Sequence, residues 1–424
     1  MLLATLTAAA PADPLPAVLL GLTVILLAAR AGGALAQRLG QPAVLGELVA
    51  GVLLGNLGLV GVHGLDALRD DAFIDLLADL GVLVLLFQVG LEATVAGMMR
   101  VGASSLVVAL LGVAAPIALG WGASAALLPA AEWHTHLFLG TTLCATSVGI
   151  TARVLKDLGR SGSTEAHIIL GAAVIDDVLG LMVLAVVSGM IVAAGGGGAA
   201  PSTLAIGAII GKAVVFLAGA LVLGVYGLRR LFAAASHLRP TGLLLALGLA
   251  SCFAFSWLAH LVGLAPIVGA FAAGLVLEPA TWSGFTDRGE RSLDELVAPI
   301  SSFLVPVFFV VMGMRTDLAS LASGPVLLLA AALTVVAIAG KQVCSLGVLT
   351  AGTDRITVGL GMIPRGEVGL IFAAEGRRLV FAGHPVLDES TFSALVVMVI
   401  ATTLLTPPAL AFRMRRLAAR AATA

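Results

Sequence analysis

This chain has little charge. Only 11% of its 424 residues are Asp, Glu, Lys or Arg, against about 25% in soluble domains. Lysine occurs three times, at Lys156, Lys212 and Lys341. No polar stretch is long enough to form a separate soluble domain. A net charge of −1 lacks the basic excess of a nucleic-acid binder, so no nucleic-acid partner is expected. Cysteine is scarce as well. Cys144, Cys252 and Cys344 all lie in apolar runs, which offers neither a disulfide framework nor zinc-ligand spacing. The opening residues MLLATLTAAAPADP have no basic stretch before the apolar run, so a cleaved signal peptide is not expected.

Apolar residues fill the space that charge leaves, at 60% of the chain. A bilayer core about 30 Å thick needs about 20 helical residues to cross it. Thirteen runs meet that need, at about 14–30, 41–60, 74–98, 101–128, 135–155, 164–193, 204–227, 240–262, 264–279, 296–314, 324–350, 355–380 and 391–412. The expected fold is an all-α polytopic membrane protein. With the N-terminus outside and the C-terminus inside, the outer loops hold four basic residues, Arg69, Arg315, Arg377 and Arg378, and the inner loops and tail hold sixteen. That asymmetry favours an odd number of spans.

The sequence also repeats itself. The second span contains GELVAG and the ninth GAFAAG, 223 residues apart; Gly90 of FQVGLE and Gly313 of VVMGMR are separated by the same distance. TSVGI in the fifth span matches GEVGL in the twelfth at an offset of 220. Matched spans are seven apart, and an odd separation turns the second copy over. A first repeat over about 41–193 and an inverted one over about 264–412 follow, with residues 1–13 and 413–424 as tails. Inverted repeats are the usual build of secondary transporters, whose site lies near the midplane between the halves. Two spans contain helix-breaking stretches. CATSVGIT is small and polar in mid-span, and GMIPRGEVG sets Pro364 between Gly361 and Gly366. Two broken helices crossing at the midplane leave unpaired backbone ends, which survive where they line a cavity.

The intramembrane charges gather around those breaks. Asp176 and Asp177 stand side by side near the middle of the sixth span. Each costs about 2.5–3.5 kcal/mol to insert. Neighbours on a helix point about 100° apart, so one can face a helix while the other faces a cavity. Lys341, in mid-span eleven, is the natural partner of one of them. Thr146 and Ser147 at the fifth-span break and Glu367 at the twelfth supply oxygens of the kind hard cations take. Arg365 supplies a counter-charge; the plainer expectation is that Arg365 and Glu367 neutralise each other and the broken ends. Glu47 is expected in helix packing or a vestibule. Asp75, Asp79, Glu92, Glu278 and Asp317 near span ends are expected to be solvated, Lys212 to reach the headgroups, and His134 and His136 to lie in a loop.

Six stretches, QPAVLGELVAG, CATSVGITARVL, GAAVIDDVLGL, LAPIVGAFAAG, AGKQVCSLG and GMIPRGEVGLI, match a known family in order and spacing. The chain resembles the bacterial monovalent cation:proton antiporters, in the branch of the NapA-type sodium/proton antiporters and the Kef-type potassium efflux systems, and is closest to the NapA type. The resemblance implies a cofactor-free, elevator-type transporter in the bacterial inner membrane. It also implies a homodimer, with a six-helix core and a dimerising panel interleaved in sequence. Asp177 is then the position that carries the ion (Na+ or Li+), Asp176 the position that pairs with Lys341, and Thr146 and Ser147 the positions that line the site. A lysine at Lys341 marks members that exchange two protons per sodium ion. Kef-type members lack it and carry a cytosolic nucleotide-binding domain, whereas this chain stops soon after its last span.

Other classes fit less well. An intramembrane aspartyl protease needs two aspartates facing each other across two helices, and consecutive residues on one helix cannot do that. A channel needs no inverted broken helices. A Kef-type K+/H+ antiporter and a sodium-coupled organic-solute symporter of the same repeat class remain as alternatives.

Overall fold

The computed structural model describes residues 15–62, 68–69, 71–92, 102–158, 160, 162–194, 203–238, 240, 242–321 and 323–423. Helices follow the apolar runs. The first half holds α1 (Leu15–Arg38), α2 (Ala43–Gly55), α3 (Ala72–Glu92), α4 (Ala103–Leu127), α5 (Trp133–Thr142), α6 (Val148–Asp157) and α7 (Thr164–Ala194). Next come α8 (Thr203–Val222), a π turn over Leu223–Leu228 and α9 (Arg229–Ala235). The second half holds α10 (Leu243–Leu261), α11 (Pro266–Val276), α12 (Pro279–Thr286), α13 (Leu293–Met314), α14 (Leu318–Leu321), α15 (Gly324–Val343), α16 (Arg355–Gly361), α17 (Gly366–Arg378) and α18 (Glu389–Thr423). A short antiparallel pair, β1 (Val380–Phe381) and β2 (His384–Pro385), follows α17.

Among the described residues, nine helices are long and apolar enough to cross a bilayer, and two bent pairs raise the number to eleven. The bends are 60° between α11 and α12 and 50° between α16 and α17. The other two of the thirteen expected segments contain helix but fall short in length. One is α2, with 13 residues; the other is α5 with α6, two halves of 10 residues each. The chain is thus a multi-pass membrane protein whose fifth and twelfth segments are both interrupted.

The helices pack in two sets, α1–α3 with α10, α11 and α13, and α4–α7 with α15–α18. In the first set main chains touch at glycines, the close approach that small residues permit between membrane helices. A methyl group on Gly46 would overlap the Gly32 carbonyl of α1, and one on Gly269 would overlap the Phe255 carbonyl of α10. Gly269 and Phe255 lie 223 residues after Gly46 and Gly32. Gly51 packs on Gly313, and Gly274 on Gly90; the same shift of 223 converts one contact into the other. The sequence repeat is therefore a repeat of contacts, in which equivalent surfaces meet.

Three expectations are corrected. His134 and His136 are not in a loop: both are buried in the first turn of α5. His136 Nδ1 lies 2.7 Å from Ser124 Oγ of α4, and the His134 ring lies 4.1 Å from that of Phe381, so tertiary packing turned EWHTH into a helix start. Asp75 and Asp79 are half-buried and paired rather than solvated. Asp75 meets Arg315 at 2.5 Å, Asp79 meets Arg378, and Arg69 meets Glu389 nearby. The first span runs on to Arg38, which brings Arg30 inside the helix, where its Nη2 donates to the Ser302 carbonyl at 2.7 Å. Residues 1–14 and most of the glycine-rich loop at 195–202 lie outside the described residues.

Candidate functional site

The site begins where the two interrupted segments meet. α16 stops at Gly361 and α17 starts at Gly366. Pro364 between them has no N–H to give and its ring crowds the preceding turn. α5 stops at Thr142 and α6 starts at Val148. The breaks are joined to each other through backbone groups that a helix leaves unpaired. Ser147 N donates to the Pro364 carbonyl at 2.8 Å, and Thr151 Oγ1 donates to the Gly361 carbonyl at 2.6 Å. Gly366 has φ +42, and a Cβ there would lie 2.5 Å from Ser147 Cβ; glycine suits both the backbone and the space. Ser147 Oγ donates to Glu367, with contacts of 2.8 and 3.0 Å to its two carboxylate oxygens.

The two adjacent aspartates of α7 go separate ways. Asp176 is 1% exposed, and its Oδ1 lies 2.9 Å from Lys341 Nζ, itself fully buried on α15. Gly112 of α4 faces this pair: a methyl there would stand in ordinary contact with it, 3.4 Å from Nζ and 3.6 Å from Oδ1. Asp177 faces a cavity of about 500 Å³ between the two helix sets. One wall carries Gln37, Gln88 and Glu92, and the other carries Thr146, Ser147 and Glu367. The lining contains three carboxylates and, among the described residues, no Lys, Arg or His. Asp177 Oδ1 and Thr146 Oγ1 are buried without a hydrogen-bond partner in the protein. Buried polar atoms normally have one, and two oxygens beside a cavity of this charge suit a small hard cation. Among the described residues no three acidic, His or Cys side chains converge as a permanent metal centre.

Arg365 and Glu367 do not neutralise each other. Arg365 is fully buried and turns to main-chain carbonyls, Ile363 at 2.7 Å and Met362 at 3.4 Å through Nη1, and Ala337 at 2.8 Å through Nη2. Among the described residues neither Arg365 nor Glu367 enters an ion pair with the other. Glu47 is buried on α2 near Gly33 of α1, away from the cavity lining. Lys212 is exposed on α8. Sequence reasoning missed Gln88, Glu92 and Thr151 as parts of the site region. A signal was present for the first two: they stand four residues apart, on one helix face, within the FQVGLE stretch that the repeat singled out.

Broken helices that cross beside a buried charge pair, inside inverted repeats, are the architecture of a secondary transporter. The chain belongs to the family described as "Sodium/hydrogen exchanger, transmembrane", whose profile matches residues 22–415. It is 36% identical to the high-affinity Na(+)/H(+) antiporter NhaS3 of Synechocystis, over 93% of this chain and 89% of that protein. It is 33% identical to the Na(+)/H(+)-K(+) antiporter GerN of Bacillus cereus, over 92% and 95%. The fold resembles that of the sodium proton antiporter MjNhaP1 of Methanocaldococcus jannaschii, with TM-score 0.69 and 15% identity over 94% of this chain and 96% of that one.

Proposed function

We propose that this protein exchanges sodium (or lithium) ions for protons across the bacterial inner membrane. Asp177 is the carrier and Thr146 and Ser147 are its helpers. The observation that carries the reading is the position of Asp177, set in a cavity whose charged lining residues are all acidic, while its neighbour Asp176 pairs with Lys341. A carboxylate can hold one proton or one monovalent cation, but not both at once. Exchange follows if the site faces the two sides of the membrane in turn. The two helix sets support an elevator reading, in which α4–α7 and α15–α18 form a core that carries the site past a panel made by the other set, the panel also joining two copies. The cavity lining includes Gln37, Gly40 and Pro42, where α1 ends. The excess of basic residues supports a cytoplasmic position for that end, and with it an inward-facing reading of this conformation.

The Asp176–Lys341 pair provides a second titrating unit. Loading one sodium ion then releases two protons, and each cycle moves one net charge. A membrane potential supplies about 2.3 kcal/mol per charge per 100 mV, so exchange is voltage-driven. The test is sodium-driven proton flux in proteoliposomes, with charge movement recorded on a solid-supported membrane. The wild-type protein is expected to give both flux and a transient current. Asp177→Asn is expected to keep its melting temperature and lose both. Lys341→Gln is expected to keep flux and lose the current. Sodium-dependent flux in Asp177→Asn would overturn the carrier assignment, and wild-type flux without current would overturn the two-proton cycle. A second reading has a specific support: the relative GerN is a Na(+)/H(+)-K(+) antiporter, so potassium as the exchanged ion is the competitor that the same assay resolves.

A further inference from the structure

We propose that Arg365 is the positioning residue that couples Lys341 to the crossing of the broken helices. Lys341 stands on α15, and nothing in the cavity lining belongs to that helix. Asp177 reaches Lys341 through its chain neighbour Asp176, and a second route, made of hydrogen bonds, reaches the main chain of α15. Thr146 and Ser147 open it at the fifth-segment break. Ser147 N then holds the Pro364 carbonyl, and Thr151 Oγ1 holds the Gly361 carbonyl, which fixes the twelfth-segment break to the fifth. Arg365 is the next residue after Pro364. Its Nη1 closes on the carbonyls of Ile363 and Met362, and its Nη2 reaches across to the Ala337 carbonyl. Ala337 lies four residues before Lys341 on α15, so its carbonyl is also the one that the Lys341 amide meets in the helix. One guanidinium thus ties the broken strand to the turn that bears Lys341.

Arginine suits that task better than lysine. Its planar fork presents donors in fixed directions and serves two elements at once, and it stays charged when buried. A role limited to capping the end of α16 would need only the Ile363 and Met362 bonds. The Ala337 bond is the one that such a role leaves unexplained, and a methyl on Gly340, which would lie 2.9 Å from Pro116 Cα of α4, shows that this stretch of α15 is held closely on its other side as well. An ion that settles the crossing then also settles where Lys341 stands relative to Asp176.

This inference rests on the reading of Thr146, Ser147 and Asp177 as sodium ligands, and its test separates the two. The sodium dissociation constant is read from the sodium-dependent rise in melting temperature of the purified full-length protein, which needs no turnover. Four forms are compared: wild type, Lys341→Gln, Arg365→Lys and the double variant. Replacing Lys341 is expected to shift sodium affinity by about tenfold in the wild-type frame and by less than about threefold in the Arg365→Lys frame, since coupled residues are not additive. If Arg365→Lys does not fold, Thr151→Val cuts the same route at its other end and is expected to give the same loss of coupling. An equal shift in both frames, or no shift in either, overturns the proposal, because Lys341 would then sense the site without Arg365 or not at all. A wild-type protein that sodium does not stabilise overturns the sodium reading itself, and this inference with it.

Discussion

The two helix sets are held together by different means. In the set of α1–α3, α10, α11 and α13, backbone lies on backbone at glycines, as at Gly46 on Gly32 and Gly51 on Gly313. At the crossing in the other set, side chains bind the neighbouring main chain or each other, as with Arg365 on Ala337, Thr151 on Gly361 and Lys341 on Asp176. The first arrangement has no polar partner to lose and tolerates no added volume. The second depends on every partner being present. A rigid wall and a chemically responsive crossing are what a carrier needs on the two sides of its cavity.

The comparison predicts opposite responses to substitution. The largest effect belongs to the charge pair. Asp176→Asn or Lys341→Gln alone leaves a buried charge without its partner, at about 3–5 kcal/mol, and the double variant is expected to recover part of that loss. Thermal melting of the three variants checks it, and strictly additive shifts would show that the two side chains are not coupled. Gly51→Leu and its repeat equivalent Gly274→Leu come next. Overpacking of this kind costs about 1–3 kcal/mol, and the two should destabilise by similar amounts because their contacts are equivalent. A large difference between them in melting temperature would break the equivalence of the two halves.

The smallest effect lies outside the spans. Asp354 caps α16, and the Arg413 guanidinium that meets it at 2.6 and 2.9 Å holds its carboxyl at about 2, below its ordinary 3.8. A lowered folded value means that the ionised form is the one folding favours. The stabilisation is therefore complete above about pH 4 and disappears as pH falls through about 2. Water reaches both groups, so its size is about 1 kcal/mol or less. Asp354→Asn keeps a capping side chain, and its melting temperature should lie slightly below wild type at pH 7 and equal to it near pH 2. A difference that persists unchanged to pH 2 would show that the cap, and not the charge, is responsible.

The site's local features were legible because they are local. Gly361, Pro364 and Gly366 mark the end of one half-helix and the start of the next, and the structure interrupts the helix between Gly361 and Gly366. The step of about 100° between neighbours already required Asp176 and Asp177 to face different surroundings. The partner of Arg365 was not legible. Glu367 stands two residues away in sequence, but the left-handed turn at Gly366 lies between them, and the acceptor that Arg365 finds is 28 residues upstream. Arg315 and Asp75, likewise, are brought together by folding across 240 residues of chain, a pairing that a single sequence does not display. His134 and His136 read as loop residues because the run EWHTH is polar; packing against Ser124 and Phe381 is what buries them.

The three cysteines set out at the start have a practical consequence. Cys144, Cys252 and Cys344 are all fully buried. The unmodified protein is thus a nearly silent background for maleimide reagents, and no thiol has to be removed before a new one is introduced. Ser283 on α12 and Ser323 before α15 are both exposed, and the proposed topology, with a cytoplasmic C-terminus, would set them on opposite faces of the membrane. Cysteines placed there one at a time should react with a membrane-impermeant maleimide from opposite sides of sealed vesicles, which makes the chain its own reporter of which way it faces.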